Sequence, residues 1–162
     1  MSQYYRYEVV VTAIVVRDGA YLITRRAKTK KRFPGMWTVP GGHVELKDYA
    51  HLPQDKKGYW RNVLEYALRR EVREEVGIEI KNIEYVMSLA TIHRDGNPSI
   101  VISCTADYAS GQIKLQKYET DAYKWVSISE AKNYQLLDGL HDEFLMVEQK
   151  REKTKIAEVL KR

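Results

Sequence analysis

The hydrophobic positions of the first part of the chain form short apolar runs, and the run 7–16, rich in β-branched residues, predicts a β-strand. The first two apolar runs are separated by Asp18-Gly19, a dipeptide that favours tight hairpin turns because both positions tolerate positive φ. Later runs are joined by a second turn-rich segment, 94–98, which predicts another hairpin. The strand-like runs are 7–16, 20–24, 83–92, 99–108 and 122–127.

A helical repeat of apolar positions appears in two places. Apolar residues recur every fourth position before Gly77 and predict a helix over Trp60–Val76 with the glycine as its stop. A last helix is predicted from near Asp138, and Ser129 is expected to cap a brief helix before it. Residues beyond Lys150 are charged and are expected to fray or project.

Strands arranged in hairpins, with helices between them, predict an α+β fold: a mixed sheet packed between helices, as an α/β/α sandwich. The sequence has no internal repeat and no linker-like tract. We therefore expect a single domain over 1–150, followed by a charged extension over 151–162. A length of 162 residues with 44% hydrophobic content suits one core of ordinary size.

Composition and the length of the apolar runs indicate the cellular compartment in which the protein is expected. No apolar run reaches the roughly 18–20 residues that span a bilayer, and the start of the chain does not resemble a secretory leader. A single cysteine, Cys104, excludes an internal disulfide framework. These features lead us to expect a cytoplasmic protein without a membrane partner.

The formal net charge is +5, with one basic cluster at 25–32 and a second run at 150–162. Such clusters can bind nucleic acid, bind a small anion, or simply form a solvated face. The clusters lack interleaved aromatic residues of the kind that stack on single-stranded bases. Nucleic acid is therefore an unlikely partner, and the other two readings stay open.

Three glutamates, Glu71, Glu74 and Glu75, lie within the segment 70–78. At about 100° per helical residue they share an arc of about 100° beside the apolar stripe. Like charges at these spacings cost a few tenths of a kcal/mol per pair, whereas a hard divalent cation would stabilise them. The alternative is an ordinary solvated helix face. Upstream, the paired glycines Gly41 and Gly42 would allow a close backbone approach.

Together, Gly42-His43-Val44-Glu45 and the complete run Arg70 to Ile78 resemble the Nudix hydrolase family. These hydrolases cleave nucleoside diphosphates linked to another moiety. The resemblance spans roughly 7–148, and it implies the same sandwich fold and a divalent metal cofactor, Mg²⁺ or Mn²⁺. It also implies a small nucleotide substrate. Family members are often dimers, so a homodimer stays open.

The chain departs from the family signature between its two halves. The distance from Gly42 to Arg70 is 28 positions (70 − 42), twice the usual spacing. Counting back from Arg70 puts Asn62 where the family has a glutamate that pairs with the arginine. Asp48 and Glu65 are the candidate replacements. We expect an insertion over about Leu46–Trp60, which either contacts substrate or only lengthens a loop.

The resemblance implies roles for named residues. Glu71, Glu74, Glu75 and the Gly41 carbonyl would hold the metal, with Glu74 and then Glu71 most critical for catalysis. Arg26, Gly42 and Glu45 would bind substrate, Arg26 through its planar guanidinium. The alternative for Arg26 is a surface residue of the basic cluster. In some members of the family the general base comes from a loop outside the signature, and the candidates here are Glu119 and Asp121.

Substrate markers known in the family are absent, since positions 93 and 95 hold histidine and aspartate. We therefore expect a (deoxy)nucleoside triphosphate, cleaved to monophosphate and pyrophosphate. An ADP-ribose or nucleotide-sugar substrate is the second expectation. A binding module that does not hydrolyse its nucleotide is the third.

Overall fold

A computed structural model describes residues 6–159. It opens with the predicted hairpin, formed by β1 (Glu8–Arg17) and β2 (Ala20–Arg26). Asp18 and Gly19 make the turn with φ of 51° and 79°, the backbone that this dipeptide favours. β2 runs two residues past the predicted end at Thr24, so Arg25 and Arg26 lie on a strand rather than in a basic loop.

One mixed sheet contains all seven strands of the described chain, in the order β3-β2-β1-β6-β5, with β4 paired to β1 and β7 to β2. The long β1 runs parallel to β6, and the other pairs are antiparallel. The prediction of a mixed sheet is therefore confirmed. The remaining strands are β3 (Trp37–Thr38), β4 (Gly41–His43), β5 (Ile78–Ile92), β6 (Pro98–Gly111) and β7 (Thr120–Val126).

The helices are α1 (Val63–Val76), α2 (Ile128–Ala131) and α3 (Leu140–Val159). The predicted start of the first helix at Trp60 was wrong, because Asn62 adopts a left-handed backbone (φ 58°) immediately before α1. Gly77 ends the helix as predicted, with φ of 73°. The chain then enters β5 at once, five residues earlier than expected. Ser127 rather than Ser129 caps α2, and its side chain accepts the Glu130 N–H.

Two hydrophobic layers cover the two faces of the sheet, which confirms the sandwich. Side chains of a strand alternate between faces, so β1 contributes Val11, Ala13 and Val15 to one layer and Ile14 and Val16 to the other. The first layer packs on α1 through Leu68, Val72 and Val76. The second packs on α3, where Phe144 stacks on Tyr21 with ring centroids 4.8 Å apart.

The predicted inward residues of the last helix, Leu140, Phe144 and Val147, are all buried. Beyond Lys150 the helix continues to Val159 as a largely exposed segment. Arg151, the first residue of this segment, donates to Asp107 of β6 at 2.6 Å and so attaches the segment to the sheet. Residues 1–5 and 160–162 of the expected domain and extension lie outside the described residues. Within 6–159, no helix has the length and apolar character that a membrane crossing requires.

Candidate active site

A polar cavity of about 270 Å³ lies where β4, the acidic face of α1 and the loop before β7 meet. Seven of the nine residues proposed from the sequence line it; the other two, Glu75 and Asp121, do not. The lining residues are Arg26, Lys30, Gly41, Gly42, His43, Glu45, Lys47, Arg70, Glu71, Glu74, Gln116, Tyr118 and Glu119. The fold therefore brings most of the predicted site together from four separate parts of the chain.

Glu75 lies behind this cavity rather than on its surface. Only 7% of the residue is exposed, and one carboxylate oxygen accepts the Gly41 N–H at 3.2 Å. Burial raises the pKa of the Glu75 carboxyl to about 8, with the nearby acids Glu71 and Glu119 adding to the rise. A buried carboxylate of this kind is costly to ionise unless positive charge lies close to it.

Glu71 lies against the glycine strand and explains why Gly42 is glycine. A Cβ at Gly42 would overlap the Glu71 carboxylate, and one at Gly41 would overlap the backbone of Val11. The close approach expected of the paired glycines is therefore present at both positions. Glu71 is 8% exposed, and its burial raises the pKa of its carboxyl.

Arg70 connects the glutamates to the glycine loop. Its Nη1 lies 2.9 Å from Glu71 Oε1 and 2.9 Å from Glu74 Oε2, and its Nη2 donates to the His43 carbonyl at 2.9 Å. Its Nε donates to Asp48. One guanidinium thus uses its fork of donors to fix α1 against β4 and the following turn.

Asp48 takes the place of the missing glutamate as the partner of Arg70. It is one of the two replacements expected from the sequence. Its side chain is fully buried, and its Oδ2 accepts from Arg70 Nη2 at 3.3 Å and from the Glu45 N–H at 2.7 Å. Burial acts to raise the Asp48 pKa, but these hydrogen bonds outweigh it and hold the pKa below its ordinary value. Glu65, the other candidate, is exposed on the first turn of α1.

The position of Asp48 also corrects the boundary of the insertion. Asp48 stands six positions after Gly42 (48 − 42), where the family signature has its first glutamate, and it ends a short 3-10 turn over Leu46–Asp48. The insertion therefore begins after Asp48 and not at Leu46. Counting forward from Gly42, instead of back from Arg70, would have found this acid in the sequence.

The inserted segment packs mainly against itself. Tyr49 and Trp60 pack with ring centroids 5.4 Å apart, Trp60 Nε1 donates to the Leu52 carbonyl at 2.9 Å, and Asp55 accepts from the N–H groups of two residues in its own turn. None of residues 49–62, all within the described part of the chain, lines the polar cavity. Of the two expectations for the insertion, the structure favours a lengthened loop.

Arg26 and Glu119 also line the cavity, from segments outside β4 and α1. Arg26 Nε donates to the Arg32 carbonyl at 2.9 Å, and burial lowers the pKa of its guanidinium. Glu119 lies 3.4 Å from Lys30 Nζ. Asp121, the other candidate base, pairs with Arg25 at 2.6 Å and does not line the cavity, because this ion pair joins β7 to β2 away from the glutamates.

The carboxylates suit a hard divalent cation, since such ions take carboxylate and carbonyl oxygens. The buried Glu75 carboxylate, which accepts the Gly41 N–H, and the Glu71 carboxylate against the glycine strand are oxygen donors of this kind. Within residues 6–159, no three acidic, histidine or cysteine side chains are already arranged as a ligand set. Arg70 lies between Glu71 and Glu74, so a cation held by both carboxylates would compete with this guanidinium for their oxygens.

Comparison with known proteins shows which family the chain belongs to. Residues 6–149 match the family model described as NUDIX domain, and the chain therefore belongs to that family. It is 29% identical over 143 residues to the nucleoside triphosphatase NudI of Escherichia coli, covering 81% of this chain and 89% of that protein. These similarities support pyrophosphohydrolase activity, and Nudix hydrolases generally use divalent metals.

Solved structures show the same fold. The MutT protein from Methanosarcina mazei Go1 matches with a TM-score of 0.68 at 23% identity, over 93% of this chain and 99% of that one. The NUDIX domain of Shewanella oneidensis NrtR, solved in complex with ADP ribose, matches with a TM-score of 0.66 at 19% identity, over 93% and 90% of the two chains.

A second network, which the sequence did not reveal, lies beside the cavity. Arg32 donates to both carboxylate oxygens of Glu8, at 2.6 and 3.2 Å, and to Asp95 at 2.7 Å. Glu8 also accepts from Ser99 at 2.8 Å, and His43 Nε2 lies 3.5 Å away. We call Glu8, Arg32 and Asp95 the arginine clamp. It joins β1 to the loop after β2 and to the β5–β6 turn.

Asp48→Asn should destabilise the protein by about 1–3 kcal/mol, because it removes a buried charge-assisted pair and leaves Arg70 without its strongest partner. Chemical denaturation followed by circular dichroism measures the change. Asp55→Asn is the matched control, since it removes an aspartate–arginine pair from the exposed inserted loop and should cost less than about 1 kcal/mol. Equal effects in the two variants would show that the Asp48–Arg70 pair has no special structural role.

The clamp predicts a pH-dependent contribution to stability. Hydrogen bonds from Arg32 and Ser99 lower the pKa of Glu8 from 4.5 to about 2. A lowered carboxyl pKa gives stability that is complete above pH 4.5 and is lost as pH falls towards 2. Glu8→Gln should therefore lower the free energy of unfolding at pH 7, and its difference from wild type should shrink in titrations from pH 5 to pH 3. The exposed Glu152→Gln is the control; a Glu8→Gln deficit independent of pH would contradict the prediction.

Proposed function

We propose that this chain is a Mg²⁺- or Mn²⁺-dependent pyrophosphohydrolase that converts a (deoxy)nucleoside triphosphate to its monophosphate and pyrophosphate. The observation that carries the proposal is the cavity itself, which Glu71 and Glu74 of α1 line together with Arg26 and Lys30. A polyphosphate needs cations to offset its charge and oxygen ligands to hold those cations. The similarity to NudI supports the triphosphate as substrate. A cytoplasmic location is part of the same proposal.

Glu71, Glu74, Glu75 and the Gly41 carbonyl are the residues that would hold the metal. When bound, a divalent cation supplies charge neutralisation for the phosphates and lowers the pKa of a coordinated water. Glu74 is the most exposed of the three, with 45% of its side chain accessible. It is the carboxylate best placed to meet both cation and solvent water, and we assign it the largest catalytic effect, followed by Glu71.

The protein's own cations and backbone orient the substrate. Arg26 presents a planar set of donors to phosphate oxygens, and its Nε bond to the Arg32 carbonyl fixes its orientation. Glu45 and Gly42 form the near rim of the same cavity. Glu119 is the candidate general base, because it is an acidic side chain that lines the cavity from a loop outside α1. A base in this position would accept the proton of the attacking water.

ADP-ribose or a nucleotide sugar is the second candidate substrate. Its support is the likeness of fold to the NrtR domain that was solved with ADP ribose. A module that binds nucleotide without hydrolysis is the third, and it would use the same cavity. The three candidates differ in their products, so one assay separates them.

Wild-type protein incubated with the common nucleoside triphosphates, ADP-ribose and dinucleoside polyphosphates should cleave a triphosphate between the α- and β-phosphates, and only with divalent metal present. Chromatography of the nucleotide products with a pyrophosphate assay measures this outcome. Cleavage of ADP-ribose alone would replace the first candidate with the second. The absence of metal-dependent turnover of every compound would leave only the binding module.

Glu74→Gln should lower kcat by about 100-fold or more, as expected when a catalytic metal ligand is lost. Its unfolding midpoint should stay close to wild type because Glu74 is half exposed. Glu65→Gln is the matched control, an exposed acid on the first turn of the same helix and outside the cavity. A Glu74→Gln variant as active as Glu65→Gln would contradict the role assigned to this helix.

A further inference from the structure

The side chain of Glu119, the candidate base, forms an ion pair inside the polar cavity. Lys30 Nζ lies 3.4 Å from Glu119 Oε1, and both residues line the cavity. A carboxylate beside an ammonium group accepts a proton less readily, because the opposite charge favours its ionised form. The contact with Lys30 therefore opposes the role assigned to Glu119 for as long as it persists.

The backbone fixes the segments that carry these two residues. The Ala27 N–H donates to the Glu119 carbonyl at 2.9 Å, and the Lys30 N–H closes a turn on the Ala27 carbonyl at 3.0 Å. The loop before β7 is also bonded to α1, since the Gln116 N–H donates to the Glu75 carbonyl at 3.0 Å. A change of partner by Lys30 thus needs only rotation of side chains and leaves the fold unchanged.

The pair between Lys30 and Glu119 is weak enough to be exchanged for another. Each side chain is 30% exposed, and ion pairs at such positions contribute little to stability because water competes for both charges. A phosphate oxygen accepts a charge-assisted hydrogen bond from a lysine. A polyphosphate in the cavity would therefore compete with Glu119 for the Lys30 ammonium group.

The other cations of the cavity are held differently. Arg70 is mostly buried and contacts three acids, whereas Arg26 bonds to a backbone carbonyl. Lys47 forms a single pair of the same kind, with Glu45 at 3.3 Å. Lys30 differs from Lys47 because the acid that it would release is the candidate base.

We propose that Lys30 is a positioning residue that exchanges its ion pair with Glu119 for a phosphate of the substrate. As a polyphosphate enters the cavity, the ammonium group moves from Glu119 to a phosphate oxygen, and the Glu119 carboxylate is released to water. The base is then free only when substrate is bound. This inference rests on the proposed function and deepens it, because it links substrate binding to the base of the same site.

Glu119→Gln should tighten the binding of inorganic pyrophosphate by roughly two- to fivefold, because Lys30 no longer has to leave a carboxylate to reach a phosphate. In a Lys30→Met background the same change should tighten binding distinctly less, since only the repulsion between Glu119 and phosphate is then removed. Isothermal titration calorimetry in a buffer with Mg²⁺ measures the four dissociation constants. This double-mutant cycle isolates the coupling between the two residues.

Lys30→Met should raise the KM of the best nucleoside triphosphate by about 10-fold or more, as expected when a charged hydrogen bond to the substrate is lost. kcat should change little, because Glu119 is already free in this variant. Lys30→Arg keeps the charge and should restore the KM. Lys28→Met removes an exposed lysine of the same turn and should change neither quantity. Thermal unfolding of all three variants should stay close to wild type.

An unchanged KM in Lys30→Met would overturn the inference, and a fall in kcat would show that Lys30 holds Glu119 in its working position instead of releasing it. Equal tightening by Glu119→Gln in the two backgrounds would also overturn it. If the wild-type protein hydrolyses no nucleotide, the proposed function fails, yet a larger tightening in the presence of Lys30 would still support the exchange. If hydrolysis is present and the two effects are equal, the exchange is wrong and the proposed function stands.

Discussion

The buried pair between Asp48 and Arg70 is the contact on which the site depends. Arg70 begins the acidic face of α1, and Asp48 ends the turn that follows the glycine strand, so their bond sets how far the helix lies from β4. Arg70 also reaches the His43 carbonyl and two of the glutamates. Loss of its partner would leave a mostly buried guanidinium, 15% exposed, with only those glutamates and the His43 carbonyl among these contacts.

The glycines make this arrangement possible at atomic scale. Gly41 and Gly42 let β4 approach both β1 and Glu71 more closely than any side chain would permit. The Gly41 N–H then bonds to Glu75, whose burial raises its pKa. The result is a set of carboxylates that the fold holds together against their mutual repulsion, which a bound cation would relieve. Strain of this kind is common where a protein binds charged ligands.

Local patterns were sufficient to predict what lies within one element. Helical spacing placed Glu71, Glu74 and Glu75 on one side of α1, and Asp18-Gly19 predicted the first hairpin. Contacts between distant segments were harder to predict. Asp121 and Glu119 are two residues apart, and only the three-dimensional pairing with Arg25 shows that Asp121 faces away.

The arginine clamp could not be predicted for the same reason, since Arg32 lies 24 positions from Glu8 and 63 positions from Asp95. The helix start was missed for a related reason, because Asn62 reverses the backbone where the inserted loop meets α1.

Anomalous diffraction from crystals grown with Mn²⁺ would test the central claim most directly, because it locates the ion without reference to activity. The account predicts an anomalous peak between Glu71, Glu74 and the Gly41 carbonyl, with Arg70 withdrawn from Glu74 and still bonded to Asp48. A peak at another site, or no peak at this one with Mn²⁺ in excess, would contradict the assignment of these residues as the metal centre.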